Sequence, residues 1–389
     1  MHIESFDIEG FRSLRDLGAE LAGLTVLVGP NGVGKSNLYR GLELLKLACQ
    51  GRLARAFAEE GGISAVLWAG TRLKGKKREL RVRVVWDELE YEIVIGATAP
   101  NNSPFPDDPH VRSEKIWSNV GRRVEMVRRA AQVLKYRDDN GLWRTYPPNL
   151  SINESMLGQL REPQKFPICL RLHNVISQWR FFHTFRTDRE SPLRQPQPVY
   201  RTTSLDGDGS NLAATLLSIQ EGKNGPMLES ILQSAFPNSA LSLSSNVSKT
   251  YRSVGMTNGF RRVFSGVELS DGTLRFYALA AALLGEEPPN FLVLNEPETS
   301  LHPSTFGALA DAIKYATTRS QVLVVTHSRE LAREIDKRIN VPIRTLRWDE
   351  KRGTRIDDQL RINEPEADED FLAPANDDPY DDELNEDEA

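Results

Sequence analysis

The chain has 389 residues, 39% hydrophobic and 26% charged, the make-up of a folded globular protein with room for two or three core-forming units. No run approaches the roughly 18 apolar residues a membrane span needs, and the opening MHIESFDIEGF lacks the basic start and apolar run of a secretory leader. A cytoplasmic location with no membrane partner is therefore expected, and Cys49 and Cys169, the only thiols, suggest neither a zinc site nor a disulfide framework. The net charge of −5 is unevenly spread: residues 364–389 hold 13 acids and no Lys or Arg, leaving residues 1–363 at about +8. A basic body with an acidic tail fits either an anionic partner or a solvated surface with a disordered tail.

In chain order, IESFDIEGFRSL alternates like a strand up to Gly10, and LTVLV at 24–28 is a second strand that runs into GPNGVGKS. Leu38, Leu42, Leu45 and Cys49 then recur at helical spacing, and Gln50-Gly51 stops that helix. RELRVRVVW and LEYEIVIG flank Asp87-Glu88 as a hairpin, with Val82, Val84 and Trp86 on one face. The stretch 97–110 reads as loop, and 111–200 as mixed and mostly extended. From Asp206 the pattern turns helical in GSNLAATLLSIQ and GPMLESILQSAF, and ELSDGTLRFYALAAALL leads from a loop into another helix. FLVLN (291–295) and QVLVVTHS (321–328) are strong strands separated by a helix around 304–317. There is no internal repeat and no sustained heptad pattern.

Gly29-Pro30-Asn31-Gly32-Val33-Gly34-Lys35-Ser36 fits the P-loop pattern GxxxxGK[ST], with a strand before it and a helix after. Its glycines let backbone N–H groups curl around phosphate oxygens. Lys35 would neutralise the β- and γ-phosphates of ATP, Ser36 would ligate Mg²⁺, and the helix N-terminus adds partial positive charge. Glu296, after the buried run FLVLN, is placed to orient and deprotonate a water attacking the γ-phosphate. His327, at the end of VLVVTHS, could hydrogen-bond that phosphate; a strand-end histidine can equally be structural.

Taken together and in this order, GPNGVGKSN, LSDGT, LNEPETSLHP and VVTHS resemble the P-loop, signature, Walker B with D-loop, and switch-histidine motifs of ATP-binding-cassette ATPases. The resemblance is to the branch with RecF, SMC heads and OLD-like ATPases, and the opening IESFDIEGFRSL is similar to that branch too. It covers roughly residues 1–50 and 265–330. The resemblance implies an α/β ABC-type ATPase head with an antiparallel β subdomain and a helical signature lobe. Gly29 to Ser36, with Asn37, would hold ATP–Mg²⁺, and Glu296 would be the catalytic base. It also implies that Ser270 and Gly272 cap the γ-phosphate of a second head's ATP, with Ser300 to His302 crossing the interface, so that ATP drives a homodimer. Asn295 departs from the pattern, since the usual residue there is an Asp that serves Mg²⁺ directly or through water. An amide oxygen can still accept from a metal-bound water, and slow, partner-stimulated hydrolysis is the expectation. Gln178, Gln195 and Gln197 all lie where the family's glutamine loop belongs, with nothing to choose among them.

The expected domains are 1–200 with 286–363 as the ATPase lobe, 201–285 as the helical lobe, and 364–389 as a disordered acidic tail shielding a DNA-binding surface. Arg81 and Arg83 should pair with Glu90 and Glu92 across the hairpin, whereas Lys74-Gly-Lys76-Lys77-Arg78 and Arg186, Arg189 and Arg194 are candidate phosphate contacts. The first functional expectation is a DNA-maintenance ATPase, and the second is the ATPase component of an anti-phage or toxin system gating a separate nuclease or effector. A transporter ATPase is disfavoured by LSDGT in place of LSGGQ and SLHP in place of SALD. About 60 residues follow His327, too few for an integral nuclease module.

Overall fold

The structure is a computed structural model, and it describes residues 1–71, 77–97, 104–147, 150–244, 250–259 and 261–357. Of the basic stretch Lys74-Gly-Lys76-Lys77-Arg78, residues 74–76 lie outside the described residues, as does the acidic tail, while Lys77 and Arg78 are described. The chain forms two compact units, one of residues 1–21, 31–177 and the segment from Leu346 on, the other of residues 22–30 and 178–345.

The first unit is built on an antiparallel sheet. Strand Gly353–Ile356 lies between Leu346–Asp349 and Leu14–Glu20, and Ile3–Phe11 follows. Next come the hairpin Glu79–Trp86 with Leu89–Ala97, then Pro109–Ser118, Val124–Ala130, Val133–Arg137 and Trp143–Tyr146. Alternation dictates the faces: Leu80, Val82, Val84 and Trp86 are all buried, one side of a strand with a two-residue period. The helix Lys35–Cys49 buries Leu38, Leu42, Leu45 and Cys49, the positions its 3.6-residue spacing selects. It stops at Gly51, which takes the left-handed φ of 68°. On the far strands Arg129 and Glu114 form a fully buried pair 2.8 Å apart. Glu114 also accepts from Tyr91, Ser155 and Met156, so the charge is hydrogen-bonded throughout. Arg83 bonds Glu90 at 2.7 Å and Arg81 approaches Glu92 at 3.8 Å, the cross-strand pairing the sequence suggested.

The second unit is centred on parallel strands in the order Arg180–Phe182, Phe291–Asn295, Gln321–Thr326, Leu24–Val28, then residues 343–345. The middle three are completely buried, as near-continuous apolar runs require when both faces are covered. Helices Leu212–Glu221, Gly225–Ala235, Asp271–Leu284, Phe306–Thr317 and Arg329–Ile339 pack into one core with these strands. The stretch expected to be helical also contains antiparallel strands at Ala240–Ser244, Tyr251–Thr257 and Phe264–Ser265. Their polar, serine-rich sequence (ALSLS, YRSVGMT) carries too little apolar periodicity to announce them.

Candidate active site

The P-loop begins in the second unit, where the Gly29 N–H donates to Thr326 O at 3.1 Å. Pro30 fixes the chain's exit from the strand. Asn31 to Ser36 belong to the first unit. There Gly32 and Gly34 take φ of 80° and 95°, a region in which a side chain is costly. Gly34 is required for space as well: a Cβ would sit 2.1 Å from Thr354 Oγ1 and 2.4 Å from Ser13 Oγ. Those two hydroxyls brace the back of the loop. Thr354 Oγ1 donates to Val33 O at 2.7 Å, Ser13 lies 2.8 Å from Thr354, and the Asn37 amide donates to Ser13 at 2.8 Å. Asn37, expected on the nucleotide, is therefore engaged on the scaffold side of the loop. Lys35 is buried, with Nζ 3.2 Å from Asn31 Oδ1, and Ser36 follows it in the first helical turn. The helix starts without a side-chain cap, so its first N–H groups and its positive dipole end suit an anion.

In the second unit the strand Phe291–Asn295 delivers its carboxylate through a strained turn. Glu296 takes φ 49°, and Ser300 φ 65°. The Glu296 N–H donates to Val325 O at 2.7 Å, which holds the turn against the neighbouring strand. His327 Nδ1 is 3.8 Å from Glu296 Oε1. It is closer, 3.0 Å, to Glu298 Oε1, a buried carboxylate that also accepts from Thr326 Oγ1 and from the N–H groups of His327 and Ser328. Asn295 is 1% exposed, its side-chain nitrogen is 2.6 Å from His183 Nδ1, and its Oδ1 has no hydrogen-bond partner among the described residues.

Ser270 caps the helix Asp271–Leu284, accepting from the Thr273 N–H at 3.1 Å. Gly272 is pressed on the turn after Glu296, since a Cβ there would meet Ser300 O at 2.6 Å. Arg275 Nη1 donates to Thr299 O at 3.1 Å, so the helix Asp271–Leu284 and the turn after Glu296 form one packed element. The proposed catalytic and signature residues of this unit, Asn295, Glu296, His327, Ser270 and Gly272, thus sit on adjoining strand ends and turns, while Lys35, Ser36 and Asn37 belong to the first unit.

Some expected contacts have other work. Arg186 is paired with Asp188 at 2.9 Å, and Arg194 donates to the carbonyls of Gly266 and Leu269 and to Asp271. Arg194 thereby braces the signature turn instead of offering a cation to solvent. Gln197 is buried and bonded to Pro192 O, Gly209 O and the Ala213 N–H; Gln195 donates to Arg189 O, and Gln178 accepts from Asn290. None of the three glutamines is bonded to Asn295, where His183 is found instead.

Sequence reasoning missed His183 and gave Glu298 no role. The signal for His183 was present, because WRFFH has the form of VVTH, an apolar run ended by a histidine. Its strand is only three residues long, Arg180–Phe182, too short for periodicity to register.

Each unit is tested by itself: the loop of the first fits a phosphate, and the buried oxygens of the second fit a hard cation or its water. The cradle has no room for a Cβ at Gly34, and the buried Asn295 Oδ1 and Glu298 Oε2 are oxygen acceptors with no partner among the described residues.

Residues 173–333 match a family described as "AAA domain, putative AbiEii toxin, Type IV TA system", and residues 1–57 match one described as "Protein of unknown function (DUF2813)". No curated protein matches. Among solved structures, an SMC head bound to the C-terminal winged-helix domain of ScpA is 16% identical, covers 93% of this chain and 98% of its own, and has a TM-score of 0.51. An SMC head with an extended coiled coil, bound to the C-terminal domain of ScpA derived from Pyrococcus furiosus, is 15% identical with coverage of 92% and 96% and a TM-score of 0.51. The fold is that of the SMC head structures. Among the described residues no helix is long and apolar enough to cross a membrane.

Proposed function

We propose that this chain binds ATP–Mg²⁺ through Gly29 to Ser36 and hydrolyses it slowly, in a homodimer of heads formed on ATP. The observation that carries this reading is the turn at Gly34-Lys35: an uncapped helix N-terminus behind left-handed glycines, with the Lys35 side chain buried beside it. Bound Mg²⁺ would supply charge neutralisation between the phosphates. Lys35 and the first N–H groups of the helix would hold phosphate oxygens; Ser36 would serve the metal from the first unit, and Asn295 from the second by accepting from a metal-bound water at its Oδ1. Glu296, in its left-handed turn, would take the proton of the attacking water. His327 has Nδ1 3.0 Å from Glu298 Oε1, which would leave Nε2 to serve a phosphate. Ser270 and Gly272 contribute to the nucleotide of the second head.

DNA is the proposed partner, with a cytoplasmic site of action. Support comes from the outer face of the first unit's sheet. Lys115, Arg128 and Lys135 stand opposite one another on three adjacent strands, and Arg128 and Arg137 lie 4.5 and 4.8 Å from the Trp143 ring. Cations fixed at strand spacing suit a phosphate backbone, and their stacking keeps the guanidinium groups in place. Replacing Arg128 and Lys135 by Glu should lower DNA affinity and reduce the salt slope by about 1 to 2.

A second reading, the ATPase of an anti-phage or toxin system acting on a separate effector protein, is favoured by the family description matched at residues 173–333. ATP-dependent DNA binding measured by anisotropy separates the two. The common core of both is tested by calorimetry: wild type should bind ATP–Mg²⁺, and Lys35→Ala should lose tight binding. Equal affinities would remove the P-loop assignment.

A further inference from the structure

We infer that His183 is a positioning residue for Asn295, and that the two side chains together stand in for the metal-serving carboxylate that this strand end would otherwise carry. The inference rests on the ATP–Mg²⁺ reading above and adds a residue to it.

The strand Arg180–Phe182 runs parallel to Phe291–Asn295 with Phe182 opposite Leu294, so the next residue of each, His183 and Asn295, emerge side by side. Their side chains meet at 2.6 Å, Asn295 Nδ2 to His183 Nδ1. An amide N–H donates and an unprotonated imidazole nitrogen accepts, which fixes both partners at once. The histidine must keep Nδ1 bare. The amide must turn its nitrogen to the histidine and its oxygen the other way. The resulting Oδ1 is buried, has no partner among the described residues, and adjoins the left-handed turn of Glu296.

A free asparagine amide has two orientations that differ only in which end is oxygen, and only one offers an acceptor to a cation or its water. His183 in the tautomer with Nδ1 bare holds the amide in that one, nitrogen towards the ring and oxygen away. An Asp in this place would reverse the bond, drawing a hydrogen onto Nδ1 and accepting from it, whereas the amide nitrogen donates and leaves Nδ1 bare. Asn295 and His183 are in this sense a matched pair. Partners that orient a metal-serving group typically contribute 10–100-fold in metal affinity, which sets the size of the expected effect.

The test uses the full chain carrying Glu296→Gln, so that binding is read without turnover. ATP affinity is measured by calorimetry with Mg²⁺ and with EDTA, in His183→Phe, His183→Gln, Asn295→Ala and the double variant His183→Phe/Asn295→Ala. His183→Phe should reduce the Mg²⁺-dependent gain in affinity about 10-fold and leave the EDTA affinity unchanged. His183→Gln, whose carbonyl oxygen still accepts from the amide, should stay within about 3-fold of the parent. The double variant should be no worse than Asn295→Ala alone, because the histidine acts only through the amide. A second readout needs no nucleotide. In the ligand-free protein the Asn295 side-chain amide, assigned by its loss in Asn295→Ala, should show one slowly exchanging proton that His183→Phe abolishes and His183→Gln retains. Additive losses, equal effects of Phe and Gln, or a freely exchanging Asn295 amide in the parent would overturn the inference. Failure of the parent to bind ATP at all would count against the P-loop reading, and the amide experiment would still decide the pairing.

Discussion

Glu298 Oε1 lies 3.0 Å from His327 Nδ1 and 2.9 Å from the backbone nitrogen of the same residue, so one buried carboxylate sets both the ring and the main chain of His327. It also takes the hydroxyl of Thr326 and the N–H of Ser328, so three donors besides the imidazole depend on it. The residue that shapes the histidine loop is thus supplied by the turn that carries Glu296, two positions further on. Glu298→Ala should leave the buried Thr326 hydroxyl and the His327 N–H without their acceptor, lowering stability by about 1–3 kcal/mol, and Glu298→Gln should cost less because its carbonyl oxygen still accepts. Urea unfolding checks this, and equal midpoints for the Ala variant and wild type would show that the loop does not rely on Glu298.

Thr354 and Gly34 make a matched pair on the back of the P-loop. Thr354→Val keeps the shape and removes the bond to Val33 O, and should weaken ATP binding by about 5–10-fold. Gly34→Ala meets both a steric barrier at Thr354 and an unfavourable φ of 95°, and should abolish binding. Calorimetry reads both, and tight ATP binding by Gly34→Ala would contradict the described loop.

Ser270 offers a clean probe of dimerisation because its capping role can be preserved. Ser270→Asp keeps an N-cap acceptor for the Thr273 N–H while placing negative charge where a second head's γ-phosphate is proposed to lie. Ser270→Arg adds bulk as well. Both should bind ATP yet stay monomeric in the Glu296→Gln background, as read by light scattering. Dimer fractions equal to the parent's would refute the two-head sandwich.

Asp7 predicts a pH dependence in the first unit. Burial pushes its carboxyl from 3.8 up to about 6, against the pull of Arg83 3.5 Å away, with Glu9, Glu90 and Glu92 adding to the rise. Because the folded state holds the proton more tightly than the unfolded chain, this residue's contribution falls as pH rises from about 4 to about 6 and stays lost above that. Asp7→Asn should flatten the stability profile over that window in urea titrations at several pH values. An unchanged slope would mean that Asp7 ionises freely.

Much of this architecture is legible in the residues, and the exceptions have physical causes. The P-loop, the helix after it, the hairpin and the strands ending at Asn295 and Thr326 are written in strong periodicities and in glycines that mark particular backbone angles. The relations that shape the site are long-range and polar. His183 reaches Asn295 across 112 positions, and Thr354 reaches Val33 across 321. No local pattern encodes such a meeting. Arg194 shows the converse: a loop arginine reads as a free cation until the carbonyls of Gly266 and Leu269 are seen around it.

The measurement that tests the central claim most directly is single-turnover hydrolysis of ATP by the full chain with Mg²⁺, comparing wild type with Glu296→Gln. The account predicts slow release of phosphate by wild type and, for Glu296→Gln, nucleotide affinity within a few-fold of wild type with phosphate release reduced at least 100-fold. Wild-type turnover persisting in Glu296→Gln would show that Glu296 is not the base and contradict the assignment.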